Sequence, residues 1–170
     1  MPEMLTAFIA NKGLLVRPDG KCLFMRDSGK MPGHAGTAGL WDMPGGRMDI
    51  GETDMVKTLA RELSEEVGYE LPEGSTPEVF SIMTWKNMSD LWICGHFYRI
   101  DVDQRFSPTL SDEHDEFIWE FPHKMINKTD SSNAFSCVWK EYIDKYSPDV
   151  WQEISSQSST PVSKDEPVLG

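Results

Sequence analysis

The sequence predicts a single domain in which helices pack on the faces of a mixed β-sheet. With 170 residues, the chain is long enough for one core and short for two. Its hydrophobic content of 39% and charged content of 26% are typical of a soluble globular protein. The predicted elements run as strands, a helix, more strands and a last helix. That order differs from the regular strand–helix alternation of a doubly wound fold and favours a mixed sheet.

The N-terminal part predicts a β-hairpin followed by a glycine-rich loop. Apolar runs at 6–16 and 21–27 are separated by Arg17-Pro18-Asp19-Gly20, and an Asp-Gly pair between such runs signals a hairpin. Residues 27–40 contain four glycines and a proline, which predicts a long loop of the kind that often carries function. Pro44-Gly45-Gly46 then predicts a turn where the backbone can approach a ligand closely.

The segment after this turn predicts one amphipathic helix. Thr53 is the expected N-cap, and Asp54 favours the positive end of the helix. Gly68 suits the left-handed position that follows a helix. Apolar residues recur at helical spacing and form one buried face: Val56, Leu59, Ala60, Leu63 and Val67.

The C-terminal half predicts three further strands and a last helix. Strands at 78–85 and 91–102 flank a turn, and a shorter strand follows at 116–121. Asn133 is expected to cap a helix with an apolar stripe: Phe135, Val138, Trp139, Tyr142, Ile143 and Tyr146. The chain turns polar afterwards, so we expect a domain over residues 1–146 and a polar, disordered tail over 147–170.

The composition argues against several classes of partner. A net charge of −12 disfavours nucleic acid and anionic membrane surfaces, which attract clustered Lys and Arg. Cys22, Cys94 and Cys137 are odd in number and widely spaced, which indicates neither a disulfide framework nor a zinc site. No apolar run approaches the roughly 18 residues of a membrane span, and no signal-peptide pattern opens the chain. The expected location is cytoplasmic.

A cluster of charged side chains near the end of the predicted helix indicates a metal site. Residues three and four apart on a helix share one side, so Glu62, Glu65 and Glu66 project together and repel each other unless they are paired. Arg61 can relieve Glu65 at i+4, and Glu52 can pair with Arg61 from the preceding turn. The remaining charge is a hard-oxygen site suited to Mg²⁺ or Mn²⁺. The alternative is a solvated acidic helix face.

The segment from Gly46 to Tyr69 resembles the Nudix box, written G-x5-E-x7-R-E-U-x-E-E-x-G-U with U apolar. The matching residues are Gly46, Glu52, Arg61, Glu62, Leu63, Glu65, Glu66, Gly68 and Tyr69. The run 41–46 and the acidic segment 111–119 are also similar to segments of this family, so the resemblance spans about residues 5–146. It implies an α/β/α sandwich with a central mixed sheet.

This chain departs from the box at one point. Eight residues separate Glu52 from Arg61, where the pattern has seven. Inside a helix, the extra residue would rotate Glu52 by about 100° away from the cluster. It can instead be absorbed in the turn around Thr53 and Asp54, or as a π-bulge, and the turn is the cheaper solution. The pairing of Glu52 with Arg61 depends on which of these occurs.

The resemblance implies Mg²⁺-dependent hydrolysis of a phosphoanhydride bond in a nucleoside diphosphate linked to another moiety. The implied substrate is a nucleoside-diphosphate sugar, a dinucleotide or a (deoxy)nucleoside triphosphate. The implied metal ligands are the three helix glutamates, Glu62, Glu65 and Glu66, and the carbonyl of Gly45, while Arg61 orients the carboxylates. The general base is either a helix glutamate or a later acid, Glu113 or Glu116.

Substrate contacts rest on single residues that have plain structural alternatives. Arg26 either reaches a phosphate or lies on the surface, and Gly46 opens the backbone to the substrate. Trp85 either stacks on a base or packs in the core, and Trp92, Phe97 and Tyr98 pose the same choice. The alternative to an enzyme is a catalytically silent Nudix-type domain that binds a nucleotide as a sensor or interaction module. Many members of this family are dimers, so a homodimer stays open.

Overall fold

The computed structural model describes residues 4–32, 36–87, 89–126, 128 and 133–150, and the side chains of the last range from residue 137. Within these ranges the chain forms seven strands and three helices. The strands are β1 (Phe8–Val16), β2 (Cys22–Asp27), β3 (Trp41–Asp42), β4 (Gly45–Arg47), β5 (Glu78–Lys86), β6 (Trp92–Asp101) and β7 (His114–Glu120). The helices are α1 (Met55–Val67), α2 (Pro122–Met125) and α3 (Asn133–Tyr146). None of the described helices is long and apolar enough to span a membrane.

The strands form one mixed sheet that divides between β1 and β2. Strand β1 pairs with β6 in parallel over its whole length, and β5 pairs with β6 in antiparallel. On its other side β1 pairs with β2 at one position, Val16 with Cys22, next to the predicted hairpin turn. Further along, β1 pairs with β4, whereas β2 pairs with β3 and β7. The short segment from β3 to β4 therefore bridges the two parts of the sheet.

Strand β4 corrects the prediction of a turn at Pro44-Gly45-Gly46. Gly45 pairs with Lys12 and Gly46 with Asn11 in the antiparallel ladder to β1. Gly45 has φ of 125°, and a Cβ on it would collide with the Asn11 carbonyl, so only glycine fits here. The glycines that suggested a turn are thus explained by a strand that lies unusually close to its neighbour.

Helix α1 begins one residue later than predicted. The N-cap is Asp54 and not Thr53: its side chain accepts the N–H groups of Val56 at 3.0 Å and Lys57 at 3.1 Å. Both residue types are good N-caps, and adjacent candidates are hard to separate by sequence. Gly68 follows the helix with φ of 66°, as predicted. Because α1 starts at Met55, the extra residue of the box lies in the turn before it.

The core has two parts, one on each face of the sheet, as the alternation of Leu14 and Leu15 along β1 requires. Helix α1 covers one face through Leu59, Leu63 and Val67. Helix α3 covers the other face through Val138, Trp139 and Tyr142. The predicted α/β/α arrangement around a mixed sheet is confirmed. The predicted contact of Phe135 and the tail from residue 151 onward lie outside what is described.

The N-cap assignment gives a stability prediction. Replacing Asp54 by Ala removes the acceptor for two helix N–H groups and should lower the free energy of unfolding by about 1 kcal/mol. Thr53→Ala is the matched control and should change it by less than about 0.5 kcal/mol. Urea unfolding of the two variants measures this difference. A larger loss for Thr53→Ala than for Asp54→Ala would restore the original N-cap prediction.

Candidate active site

A cleft of about 700 Å³ lies where β1 and β2 part. Strands β1, β3 and β4 and helix α1 form one part of its lining, including Lys12, Asp42, Gly46, Glu62 and Glu66. The remaining lining comes from the end of β2 and the loop after it, from β5 and β6, and from the residues at the start of β7, including Asp27, Trp85, Ile93, Glu113 and His114. The cleft thus has a carboxylate end beside α1 and a more apolar end beside β5 and β6.

Arg61 organises the acidic side chains around the start and middle of α1. Its guanidinium lies 3.1 Å from Glu52, 3.0 Å from Glu62, 3.0 Å from Glu65 and 3.6 Å from Asp49. Hydrogen bonding to Arg61 lowers the pKa of Glu52 to about 2, so this carboxylate is ionised at neutral pH. The Glu52–Arg61 pairing therefore survives the extra residue, because the turn before α1 absorbs it.

Glu62 points into the cleft and is held against β4. Its side chain is only 13% exposed. A Cβ placed on Gly46 would lie 2.6 Å from Glu62 Oε1, so the position of this carboxylate depends on glycine at 46. Burial raises the pKa of Glu62, and Arg61 and Lys12 oppose this shift.

Glu66 is the most enclosed of the three helix glutamates. Its carboxylate accepts the backbone N–H of Gly45 at 2.7 Å, which fixes α1 to β4. Burial raises the pKa of Glu66 to about 8, although Lys12 and the Gly45 hydrogen bond act in the opposite direction. Two partly or fully buried carboxyl groups, one helical turn apart, therefore face the same cleft.

The sequence interpretation missed the ion pair between Lys12 and Asp42. Lys12 Nζ lies 2.6 Å from Asp42 Oδ2 and donates to the Met43 carbonyl at 3.3 Å. The pair joins β1 to β3 across the gap between the two parts of the sheet. A signal existed, because a lysine inside the otherwise apolar run of a central strand is rarely buried without a partner.

His114 is a second cleft residue that the sequence interpretation did not select. Its Nδ1 is buried and has no hydrogen-bond partner among the described residues. Burial lowers the pKa of His114, and nearby Lys12 adds to the shift, so the ring is neutral at neutral pH.

The other predicted site residues are divided between the cleft and the surface. Glu113 and Trp85 line the cleft. Glu65 is 60% exposed and faces Arg61 outside the cleft lining. Arg26 pairs with Asp115 at 2.8 Å and with Glu116 at 2.7 Å. Arg26 and Glu116 thus hold each other on neighbouring strands, and neither lines the cleft.

The donor types at the carboxylate end fit a divalent cation. Within the described ranges, no three His, Cys, Asp or Glu side chains are arranged to hold a metal ion together. Glu62 and Glu66 nevertheless share one end of the cleft, and burial disfavours the charged form of both. A hard cation relieves that penalty, and carboxylate oxygens are its preferred ligands. Glu65 would join them only by leaving Arg61.

A family model described as the NUDIX domain matches residues 10–136 of this chain. The protein is a Nudix family member. The match includes β1 from residue 10 onward, the cleft and the whole of the box, and it ends within α3. The resemblance of the segment from Gly46 to Tyr69 is therefore confirmed at the level of the family. No curated protein matches the chain.

Solved structures of other Nudix proteins share this fold. A MutT protein from Methanosarcina mazei Go1 superposes with a TM-score of 0.67 at 21% identity, covering 85% of this chain and 100% of that one. A C. elegans Ap4A hydrolase gives 0.63 at 18% identity, covering 80% and 95%. The NUDIX domain of Shewanella oneidensis NrtR, complexed with ADP ribose, gives 0.64 at 15% identity, covering 84% and 90%.

The contact between Glu62 and Gly46 can be tested by a double-mutant cycle. Gly46→Ala should lower the free energy of unfolding by about 1–3 kcal/mol, because its methyl group would overlap the Glu62 carboxylate. In the background of Glu62→Ala the same change should cost about 1 kcal/mol less, because the clash is gone. Urea unfolding of the four proteins gives the coupling. Additivity to within about 0.5 kcal/mol would show that the two residues are not in contact.

Proposed function

We propose that this Nudix protein is a Mg²⁺-dependent pyrophosphohydrolase. It cleaves a phosphoanhydride bond in a nucleoside diphosphate linked to another moiety. The observation that carries this proposal is the pair of inward-facing carboxylates, Glu62 and Glu66, beside Gly45 and Gly46 of β4. Membership of the family supports hydrolysis of pyrophosphate bonds in general. The cation and the substrate class are our inference from the cleft.

In this proposal, Glu62, Glu65 and Glu66 and the carbonyl of Gly45 hold the cation. When bound there, Mg²⁺ neutralises phosphate charge and makes water a better nucleophile. Two features of β4 position these carboxylates: the N–H of Gly45 donates to Glu66 at 2.7 Å, and Gly46 leaves space for Glu62. Arg61 acts as a positioning residue, because it contacts carboxylates and does not itself line the cleft.

Glu113 is the better of the two loop candidates for the general base. It lines the same cleft as Glu62 and Glu66 and is the neighbour of His114 in the chain. Glu116 is engaged by Arg26 at 2.7 Å and lies outside the lining. Glu113 accepts the proton of the attacking water in this assignment, and a helix glutamate is the alternative acceptor.

The group beyond the diphosphate occupies the apolar end of the cleft. Trp85 on β5 lines this end and offers aromatic surface for a nucleobase, and Trp41 lines the cleft on the side of β3. Trp85 packs partly on Phe97, with ring centroids 6.0 Å apart, so its orientation is fixed before a ligand arrives. One similar structure is an Ap4A hydrolase and another holds ADP ribose. Dinucleotides and nucleoside-diphosphate sugars are therefore the first substrates to test.

The proposal predicts turnover that depends on Glu62. Purified protein with Mg²⁺ is assayed against nucleoside-diphosphate sugars, dinucleotides and triphosphates, with released phosphate measured after phosphatase coupling. At least one compound should be cleaved, and Glu62→Gln should lower kcat/KM by about 100-fold or more, because a ligand of the cation is lost. Glu141→Gln, at an exposed position on α3, is the matched control and should keep wild-type activity. Folded wild-type protein that cleaves nothing in the panel would refute hydrolysis.

Metal removal provides a separate prediction with two measurements. EDTA should abolish turnover, and added Mg²⁺ should restore it. Because a cation that binds the folded state alone stabilises it, Mg²⁺ should also raise the Tm of the wild-type protein. The rise should be smaller in Glu62→Gln, which has lost a ligand. An equal rise in both proteins would mean that Mg²⁺ binds elsewhere.

A further inference from the structure

Lys12 has a donor that the protein does not use. An ammonium group carries three N–H donors and no acceptor. Asp42 Oδ2 takes one at 2.6 Å, and the Met43 carbonyl takes a second at 3.3 Å. Among the described residues no acceptor takes the third. The side chain is 16% exposed and lines the cleft, so the spare donor belongs to a group that a ligand can reach.

Lys12 is also the less exposed of the two cationic residues in an acidic cleft. Six carboxylate residues line it: Asp27, Asp42, Asp49, Glu62, Glu66 and Glu113. The described lining contains two cationic residues, Lys12 and Arg47. Arg47 is exposed, and its guanidinium lies over the Phe8 ring at 5.4 Å. An anionic group that enters the cleft is therefore attracted chiefly by Lys12, apart from any bound cation.

The position of Lys12 on β1 determines which part of a bound ligand it can contact. Lys12 pairs with Gly45, whose N–H is bonded to Glu66. Lys12 is therefore on the strand next to Gly45, whose carbonyl and whose bonded partner Glu66 are candidate metal ligands. On its other side, β1 pairs with β6, which borders the apolar end, and Lys12 is opposite Phe97 in that ladder. Lys12 thus lies between the two ends of the cleft, where the bridge between a nucleoside and a second group has to pass.

We propose that Lys12 binds an oxygen of the substrate's diphosphate through its third N–H donor, while Asp42 and the Met43 carbonyl hold the ammonium in place. This role rests on the proposed function, since it takes the ligand to be a diphosphate. Lysine binds phosphate as a compact charge, and a side chain that is already held loses little entropy on binding. Lys12 is then a specificity residue for the diphosphate and Asp42 is its positioning residue.

The competing role is purely structural, in which the Lys12–Asp42 pair only joins the two parts of the sheet. The two roles differ in what a conservative change does. A structural role makes ligand affinity follow stability, so Lys12→Met and Asp42→Asn would weaken binding in parallel with their Tm. A ligand role makes affinity follow the charge at position 12, so Lys12→Arg should bind better than Lys12→Met at matched stability.

Isothermal calorimetry with methylenediphosphonate and Mg²⁺ tests the proposal without requiring turnover. Lys12→Met should raise Kd about 10-fold or more, the size expected for a lost hydrogen bond to a charged group. Lys12→Arg should recover most of that loss, and Asp42→Asn should have a smaller effect than Lys12→Met. Lys57→Met, at an exposed lysine on α1, is the control and should bind as the wild type does.

The double variant Lys12→Met with Asp42→Asn shows whether weaker binding by Lys12→Met comes from a lost ligand contact or from lost stability. Removing one partner of a buried pair leaves an uncompensated charge, whereas removing both charges does not. The double variant should therefore melt closer to the wild type than Lys12→Met does, and it should still bind methylenediphosphonate about 10-fold more weakly. Wild-type affinity in the folded double variant, or a wild-type protein that does not bind the probe, overturns the proposal.

The outcomes also separate this inference from the proposed hydrolysis. Lysine-dependent binding without turnover of any compound supports the role of Lys12 and refutes the enzyme. If a compound is cleaved, but neither its KM nor the Kd of methylenediphosphonate depends on the charge at position 12, the enzyme is supported and the role of Lys12 is refuted. For a compound that is cleaved, the Lys12 variants should raise KM in the same order as they raise Kd.

Discussion

The separation of β1 from β2 is the constraint on which the rest of the cleft depends. The two strands pair at Val16 and Cys22 and then take different partners. The gap has to be filled by backbone, since unpaired strand groups are costly when they are buried. The segment from β3 to β4 fills it, and Gly13 donates its N–H to the Pro44 carbonyl at 2.8 Å within this bridge. The glycines of β4 follow from this close packing, and they also leave the space in which Glu62 and Glu66 sit.

The acidic residues of the box are stabilised in two different ways. Glu52, Glu62 and Glu65 are all paired with Arg61, and hydrogen bonding to Arg61 lowers the pKa of Glu52. Glu62 and Glu66 are turned inward, where burial raises the pKa of both. A structural acidic cluster would need only the first arrangement. The second leaves charge that the fold compensates incompletely, which is what a site that binds a cation requires and what sequences otherwise avoid.

How far the sequence could predict this structure depended on the range of each interaction. The glycine at the end of α1 and the pairing of Arg61 with Glu52 and Glu65 are local patterns, and they were predicted correctly. Of the predicted apolar face of α1, Leu59, Leu63 and Val67 are buried, whereas Val56 and Ala60 are partly buried. Asp54 replaced Thr53 as N-cap because two suitable residues are adjacent, and a shift of one residue does not alter the helical periodicity. Strand β4 and the Lys12–Asp42 pair were missed because their partners are about thirty residues away. Periodicity and spacing carry no information on such contacts.

The same difference in range explains why the box indicates a reaction and leaves the substrate open. Its residues lie on β4, on α1, in the turn between them and directly after α1, and Gly46, Glu62 and Glu66 form one end of the cleft. The other end is built by residues from β5 and β6, from the loop after β2 and from the start of β7. Asp42 and Lys12 lie at the boundary between the ends. In the proposed complex, this pair is therefore where a diphosphate would contact the protein between the carboxylate end and the apolar end.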